Sequence, residues 1–301
     1  MTIDQASKLR DIATRLKKNR KQSRKKNKTR RIAVTSGKGG VGKSSFSLNL
    51  AIALTKLKKK VLLIDADISL GNLDILLGIT PEFLLRDVIE GKIPLRKLLI
   101  QESNGLSIMP ASSGDLEILK NSDEAKQKIE KDLELLELEY DFILIDTGAG
   151  IGDEVIDFSL NSDEVIVVTT AEPTAFTDAY ALIKVLTAKS KSKPDLNLLV
   201  NMVSVQTEAE QVYEKIEMVT NHFLQTEIKF LGYIVRDQTV SKAIIQQQPF
   251  LRYDEKCIAS KNLWSIAVKI ATSSKFAGKK KNNQENDDND LNESFFKKMI
   301  K

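Results

Sequence analysis

Short continuous runs of apolar residues recur along the chain at 31–35, 61–65, 105–109, 142–146, 164–169, 197–203 and 229–235. Continuous rather than alternating apolar character is the pattern of strands buried on both faces. Between these runs, apolar residues return every three or four positions over 46–57, 125–138, 153–161, 175–189, 207–223 and 254–271, which predicts helices. The stretch Phe46–Leu54 reads as an amphipathic one. Strands alternating with helices predict an α/β fold, a doubly wound, mainly parallel sheet with helices on both faces. No internal repeat is visible.

The same patterning divides the chain into a globular domain at 31–273, flanked by an N-terminal segment 1–30, a linker 274–290 and a terminal segment 291–301. Thr2-Ile-Asp-Gln5 has the form of a capping box, and Asp4 suits the positive end of the helix it would open. Leu9, Ile12, Ala13 and Leu16 then share one face, a stripe with no core of its own. The polar run from Lys279 to Asp290 cannot support a core and is expected to be disordered. If helical, 291–301 sets Leu291, Phe295, Phe296, Met299 and Ile300 on one side, with Lys297, Lys298 and Lys301 opposite or at the edges. That helix would enter a membrane surface or pack on its own domain.

Composition narrows the picture. The chain has 301 residues, 42% of them hydrophobic, enough for one domain of about 240 residues with flexible ends. A single cysteine, Cys257, excludes a disulfide framework, fits a reducing compartment and argues against iron–sulfur chemistry. His222, the one histidine, lies in a polar helical stretch and reads as a surface residue. No run reaches the roughly 18 apolar residues of a membrane span and no signal-peptide core is visible, so a cytoplasmic protein is expected. Net charge is +5, but residues 1–31 hold 13 Lys/Arg against two Asp, which leaves the remainder at −6. Such a leader suits nucleic acid, anionic lipid or an acidic partner, and equally a solvated linker.

The chemistry begins at Gly37-Lys38-Gly39-Gly40-Val41-Gly42-Lys43-Ser44-Ser45, which fits G-x-x-x-x-G-K-[ST] between a strand and a helix. Glycines let the backbone curl until its N–H groups point inward at phosphate oxygens, and the helix start adds partial positive charge. Lys43 would reach the β/γ-phosphates and the Ser44 hydroxyl would hold Mg²⁺. Lys38 adds a second ammonium near the start of the loop. Val61-Leu-Leu-Ile-Asp65-Ala-Asp67 and Phe142-Ile-Leu-Ile-Asp146-Thr-Gly148 are strands ending in carboxylates, placed where open α/β sheets bind ligands. Asn201 ends another strand, where an asparagine is often only a turn residue.

With Lys38 in the loop, the sequence resembles the deviant-Walker ATPases of the MinD and ParA family. That resemblance implies an ATP hydrolase with Mg²⁺, working as an ATP-dependent homodimer in which Lys38 reaches the partner's phosphates. It implies that Asp65 lies in the metal's outer sphere and Asp67 positions or activates the attacking water. Asp146 would bind Mg²⁺ through water, Gly148 would leave room for the γ-phosphate, and Asn201 would contact adenine. Asp4-Gln5-Ala6-x-x-Leu9-Arg10, together with Ala171-Glu-Pro-Thr-Ala-Phe-Thr-Asp-Ala-Tyr-Ala-Leu-Ile-Lys184, is similar to the FlhG (FleN/YlxH) flagellar branch. The first of these resembles that branch's N-terminal activator motif, which implies stimulation of an FlhF-type GTPase. The terminal segment looks like its membrane-targeting helix, so the protein is expected on the inner face of the cell membrane, regulating flagellar number or placement. Flagellar switch or basal-body components are further implied partners. The alternative is a ParA- or MinD-type partitioning or division-site regulator, with 17–31 binding DNA; the flagellar reading does not require nucleic acid. One departure stands out: Val235 replaces a proline frequent in the family, which is expected to loosen the loop bordering adenine.

Overall fold

A computed structural model describes residues 29–67, 71–102, 105–111, 123–190 and 194–273. The expected N-terminal helix with Asp4, Gln5, Ala6, Leu9 and Arg10, the linker 274–290 and the terminal helix with Leu291, Phe295, Phe296, Met299 and Ile300 lie outside the described residues.

One eight-stranded sheet organises the described residues: β1 (Arg30–Ser36), β2 (Val61–Ala66), β3 (Ile100–Gln101), β4 (Leu106–Met109), β5 (Phe142–Ala149), β6 (Glu164–Thr169), β7 (Leu196–Val203) and β8 (Ile228–Val235). Their spatial order is β3-β4-β2-β5-β1-β6-β7-β8. Neighbours run parallel except at the edge, where β3 pairs antiparallel with β4. Parallel strands need crossovers, and helices supply them. They are α1 (Lys43–Lys56), α2 (Leu73–Leu77), α3 (Leu85–Ile89), α4 (Leu95–Leu98), α5 (Asp123–Glu137), α6 (Asp153–Leu160), α7 (Pro173–Lys189), α8 (Gln206–Leu224), α9 (Gln238–Ile245), α10 (Phe250–Tyr253) and α11 (Ile258–Thr272).

The two-residue period of a strand sends alternate side chains into cores on opposite faces of the sheet. Ile32, Val34, Leu63, Leu144, Ile166 and Val168 pack with α1 and α11 on one face. On the other, Leu62, Ile64, Ile143 and Ile145 meet α3, α4 and α5, while Val165, Val167, Leu198 and Val200 meet α6, α7 and α8.

Two expectations are corrected here. Helix α1 is not amphipathic: Phe46, Leu48, Leu50, Ile52 and Leu54 are buried, and so are Ser47, Asn49 and Thr55 on the intervening faces. It lies between the sheet and the α10–α11 layer, and its polar side chains find partners there; Asn49 Oδ1 accepts the Leu251 N–H at 2.9 Å. The helix expected over 254–271 begins only at Ile258, because Cys257 is extended and caps it, its Sγ accepting the Ser260 N–H. Helices α2, α3, α4, α9 and α10 went unread; α2, α3, α4 and α10, at five, five, four and four residues, are too short to establish a helical period.

Candidate functional site at the carboxyl edge of the sheet

The carboxyl ends of six parallel strands deliver the candidate residues to one edge, where open α/β sheets bind ligands. The loop after β1 turns on Gly40 and Gly42, at φ 78° and 86°, left-handed values that glycine adopts without steric cost. Gly42 is also the N-cap of α1, whose first turn holds no acidic side chain, so the positive end of the helix is left for an anion. Gly37 is needed for another reason: a Cβ there would lie 2.2 Å from the Asp178 carbonyl oxygen of α7.

Lys43, Ser44, Asp65 and Asp146 come together beneath this loop. Lys43 Nζ donates to Asp146 Oδ1 at 3.1 Å and to Ser44 Oγ at 3.4 Å. Ser47, one turn along α1 and unread in the sequence, donates to the same Asp146 oxygen at 2.8 Å. Asp146 is 1% exposed; burial pushes its carboxyl up, and the Lys43 ammonium pulls it back. Asp65 pairs in register with Asp146 across β2 and β5. Burial, with the Asp146 charge adding to it, raises Asp65 to about 6, against the pull of three backbone N–H donors. Those donors are Asp67 at 3.1 Å, Asn72 at 3.1 Å and Leu73 at 3.2 Å. Asp65 thus ties down Asp67 and the start of α2, a structural duty beyond the metal role expected of it. Asp67 stands beside Gly148, where a Cβ would lie 3.8 Å from Asp67 Oδ1. Ser44, Asp65 and Asp146 offer a hydroxyl and carboxylates, hard oxygen donors of the kind Mg²⁺ takes alongside phosphate and water.

Lys38 does not join this cluster. Its Nζ donates to Glu172 Oε2 at 2.8 Å and to Thr174 Oγ1 at 2.9 Å, at the corner where Pro173 opens α7. The Lys38 ammonium holds the Glu172 carboxyl below its usual range, and Arg236 contributes in the same direction. Both ends of the pair are solvent-exposed, so it is weak and readily exchanged. In the sequence Glu172 and Thr174 served only to mark the subfamily; their hold on Lys38 had no signal there.

Beside the loop lies a cavity of about 240 Å³ lined by Gly42, Phe46, Asn201, Ile234, Arg236 and Val240, among others. Asn201 Nδ2 donates to the Val41 carbonyl at 2.8 Å. At this border Val235 ends β8. Its N–H, which a proline would lack, donates to Asn262 Oδ1 at 3.3 Å, and the Arg236 N–H bonds the Val203 carbonyl at 2.8 Å.

Comparisons with known proteins agree with this geometry. Residues 27–271 match the ParA model described as the NUBPL iron-transfer P-loop NTPase family. The chain is 38% identical to the antiactivator FleN of Pseudomonas aeruginosa, over 79% of this chain and 85% of that protein. It is 37% identical to the flagellum site-determining protein YlxH of Helicobacter pylori, over 81% and 80%. Among solved structures, MinD in the Aquifex aeolicus MinC:MinD complex superposes with a TM-score of 0.65 at 30% identity, covering 82% of this chain and 97% of that one. MinD of Pyrococcus horikoshii with Mg-ADP gives 0.65 at 25% identity, over 83% and 99%. Fold, loop and carboxylates together define a P-loop ATPase of the MinD/ParA type. Within that class the chain belongs to the FlhG (FleN/YlxH) family.

Proposed function

We propose that this ATPase dimerises on ATP, attaches to the membrane as a dimer, and is released by hydrolysis, a cycle that regulates flagellar number or placement. The observation that carries the reading is the separation of the two lysines. Lys43 is spent inside the loop on Asp146, whereas Lys38 stands at the rim on an exposed, exchangeable carboxylate, able to turn toward phosphates brought by a second copy. Mg²⁺, entering with ATP, would be held by Ser44 and, through water, by Asp146 and Asp65; it supplies charge neutralisation of the phosphates. Asp67 orients the attacking water beside Gly148, so it serves hydrolysis more than binding. The likeness to proteins named FleN and YlxH supports the flagellar role. The single cysteine gives no support for iron transfer.

On this reading the N-terminal segment acts on an FlhF-type GTPase. A peptide of residues 1–20 is expected to accelerate GTP hydrolysis by the cognate enzyme, and Gln5→Ala or Leu9→Asp to remove the effect. Stimulation by the protein lacking residues 1–20, with none from the peptide, would contradict it.

A further inference from the structure

We infer that Asn201 is a positioning residue for the phosphate loop, beyond the base contact expected of it. Its side chain is buried, with the residue 8% exposed, and its Nδ2 reaches across 160 positions of sequence to the Val41 carbonyl at 2.8 Å. Only the amide nitrogen can donate to a carbonyl, so this bond fixes which way the side chain faces. Val41 sits between Gly40 and Gly42, both left-handed, in the most permissive stretch of the loop. A cradle of inward-pointing N–H groups binds phosphate well only if it is held in shape beforehand, and the one carbonyl between those glycines is where Asn201 grips.

Both partners are shaped for the contact. A Cβ on Gly42 would lie 2.4 Å from Asn201 Nδ2, so the loop's glycine admits the amide as well as permitting the turn. On the other side, Met202 takes φ 58°, a left-handed value that a non-glycine residue adopts only under constraint. The β7–β8 register shifts between Asn201 and Val203, and such bulges re-aim a side chain. Strand, strain and glycine converge on one hydrogen bond.

A base contact and a loop brace are separated by a ligand with no base. Mg²⁺–tripolyphosphate and Mg²⁺–ATP affinities are measured by calorimetry on the full chain, well below its melting transition. Asn201→Ala is expected to weaken both ligands by about tenfold, the worth of one buried hydrogen bond. Loss of ATP affinity with tripolyphosphate affinity intact would overturn the brace. Should Asn201→Ala melt without a cooperative transition, Met202→Val supplies the test. It keeps the amide but disfavours the left-handed turn, and both ligands should weaken by several-fold; unchanged tripolyphosphate affinity would again overturn the inference. The inference rests on the proposed ATPase reading, and a wild-type protein that binds neither ligand would overturn that reading. Wild-type ATP binding with no tripolyphosphate binding, or with both affinities unchanged in Asn201→Ala, would overturn the brace alone.

Discussion

Asp65 shows how much one buried carboxylate is asked to do. Raised to about 6 from an ordinary value of 3.8, it holds its proton more tightly folded than unfolded. Its charge therefore costs stability above pH 6, about 3 kcal/mol at neutral pH, and that cost falls away as pH drops through 6 toward 4. Asp65→Asn removes the titration and part of the grip on the Asp67, Asn72 and Leu73 N–H groups. Between pH 8 and pH 5 the wild-type melting temperature should rise relative to that of Asp65→Asn. A constant difference across the range would show that Asp65 titrates elsewhere. The convergence of Lys43, Ser44, Asp65 and Asp146 was legible, because a phosphate loop and acid-ended strands of one parallel sheet must meet at its carboxyl edge. Ser47 on Asp146 and Glu172 with Thr174 on Lys38 were not, because serines, threonines and glutamates one turn or 134 residues away carry no pattern of their own.

Among elements, β1 is fastened at its start as well as at its loop. Arg30 donates through Nε and Nη2 to Glu164 Oε1 of β6, and through Nη1 to the Ile270 carbonyl near the end of α11. It also lies over the Phe142 ring of β5, 5.1 Å from the centroid. Glu164→Ala would leave a buried guanidinium uncompensated, at about 3–5 kcal/mol, or about 10 °C in melting temperature for a domain of this size. The double change Arg30→Met/Glu164→Leu, with no stranded charge, should melt above the single one. If Glu164→Ala costs under about 1 kcal/mol, the clamp is ornamental. The alternation of strands and helices was readable because buried strands are continuously apolar. Helices α2 to α4 and α10 are too short to show a period, and the burial of α1 depends on α10 and α11, which local sequence cannot place against it. The bond from the Val235 N–H to Asn262, 27 residues on, is likewise beyond the reach of local sequence.

In the proposed cycle an ATP-driven dimer carries a membrane anchor. Eleven residues fall short of the roughly 12–15 at which isolated helices become marginally stable in water, so the segment 291–301 should hold a bilayer weakly on its own. Two copies on one dimer gain avidity, since the second binds at high effective concentration. Sedimentation with anionic liposomes is expected in ATP, with little in ADP and loss on Phe295→Glu/Phe296→Glu; equal sedimentation in both nucleotides would show that the anchor is not gated. Most direct of all is the mass of the protein in solution by light scattering with Mg²⁺ and ATP or ADP, using Asp67→Ala to slow hydrolysis. Asp67→Ala is expected at twice the monomer mass in ATP and at the monomer mass in ADP. Adding Lys38→Ala to that variant should return the monomer in ATP with nucleotide still bound, whereas a dimer that survives the loss of Lys38 would contradict the central claim.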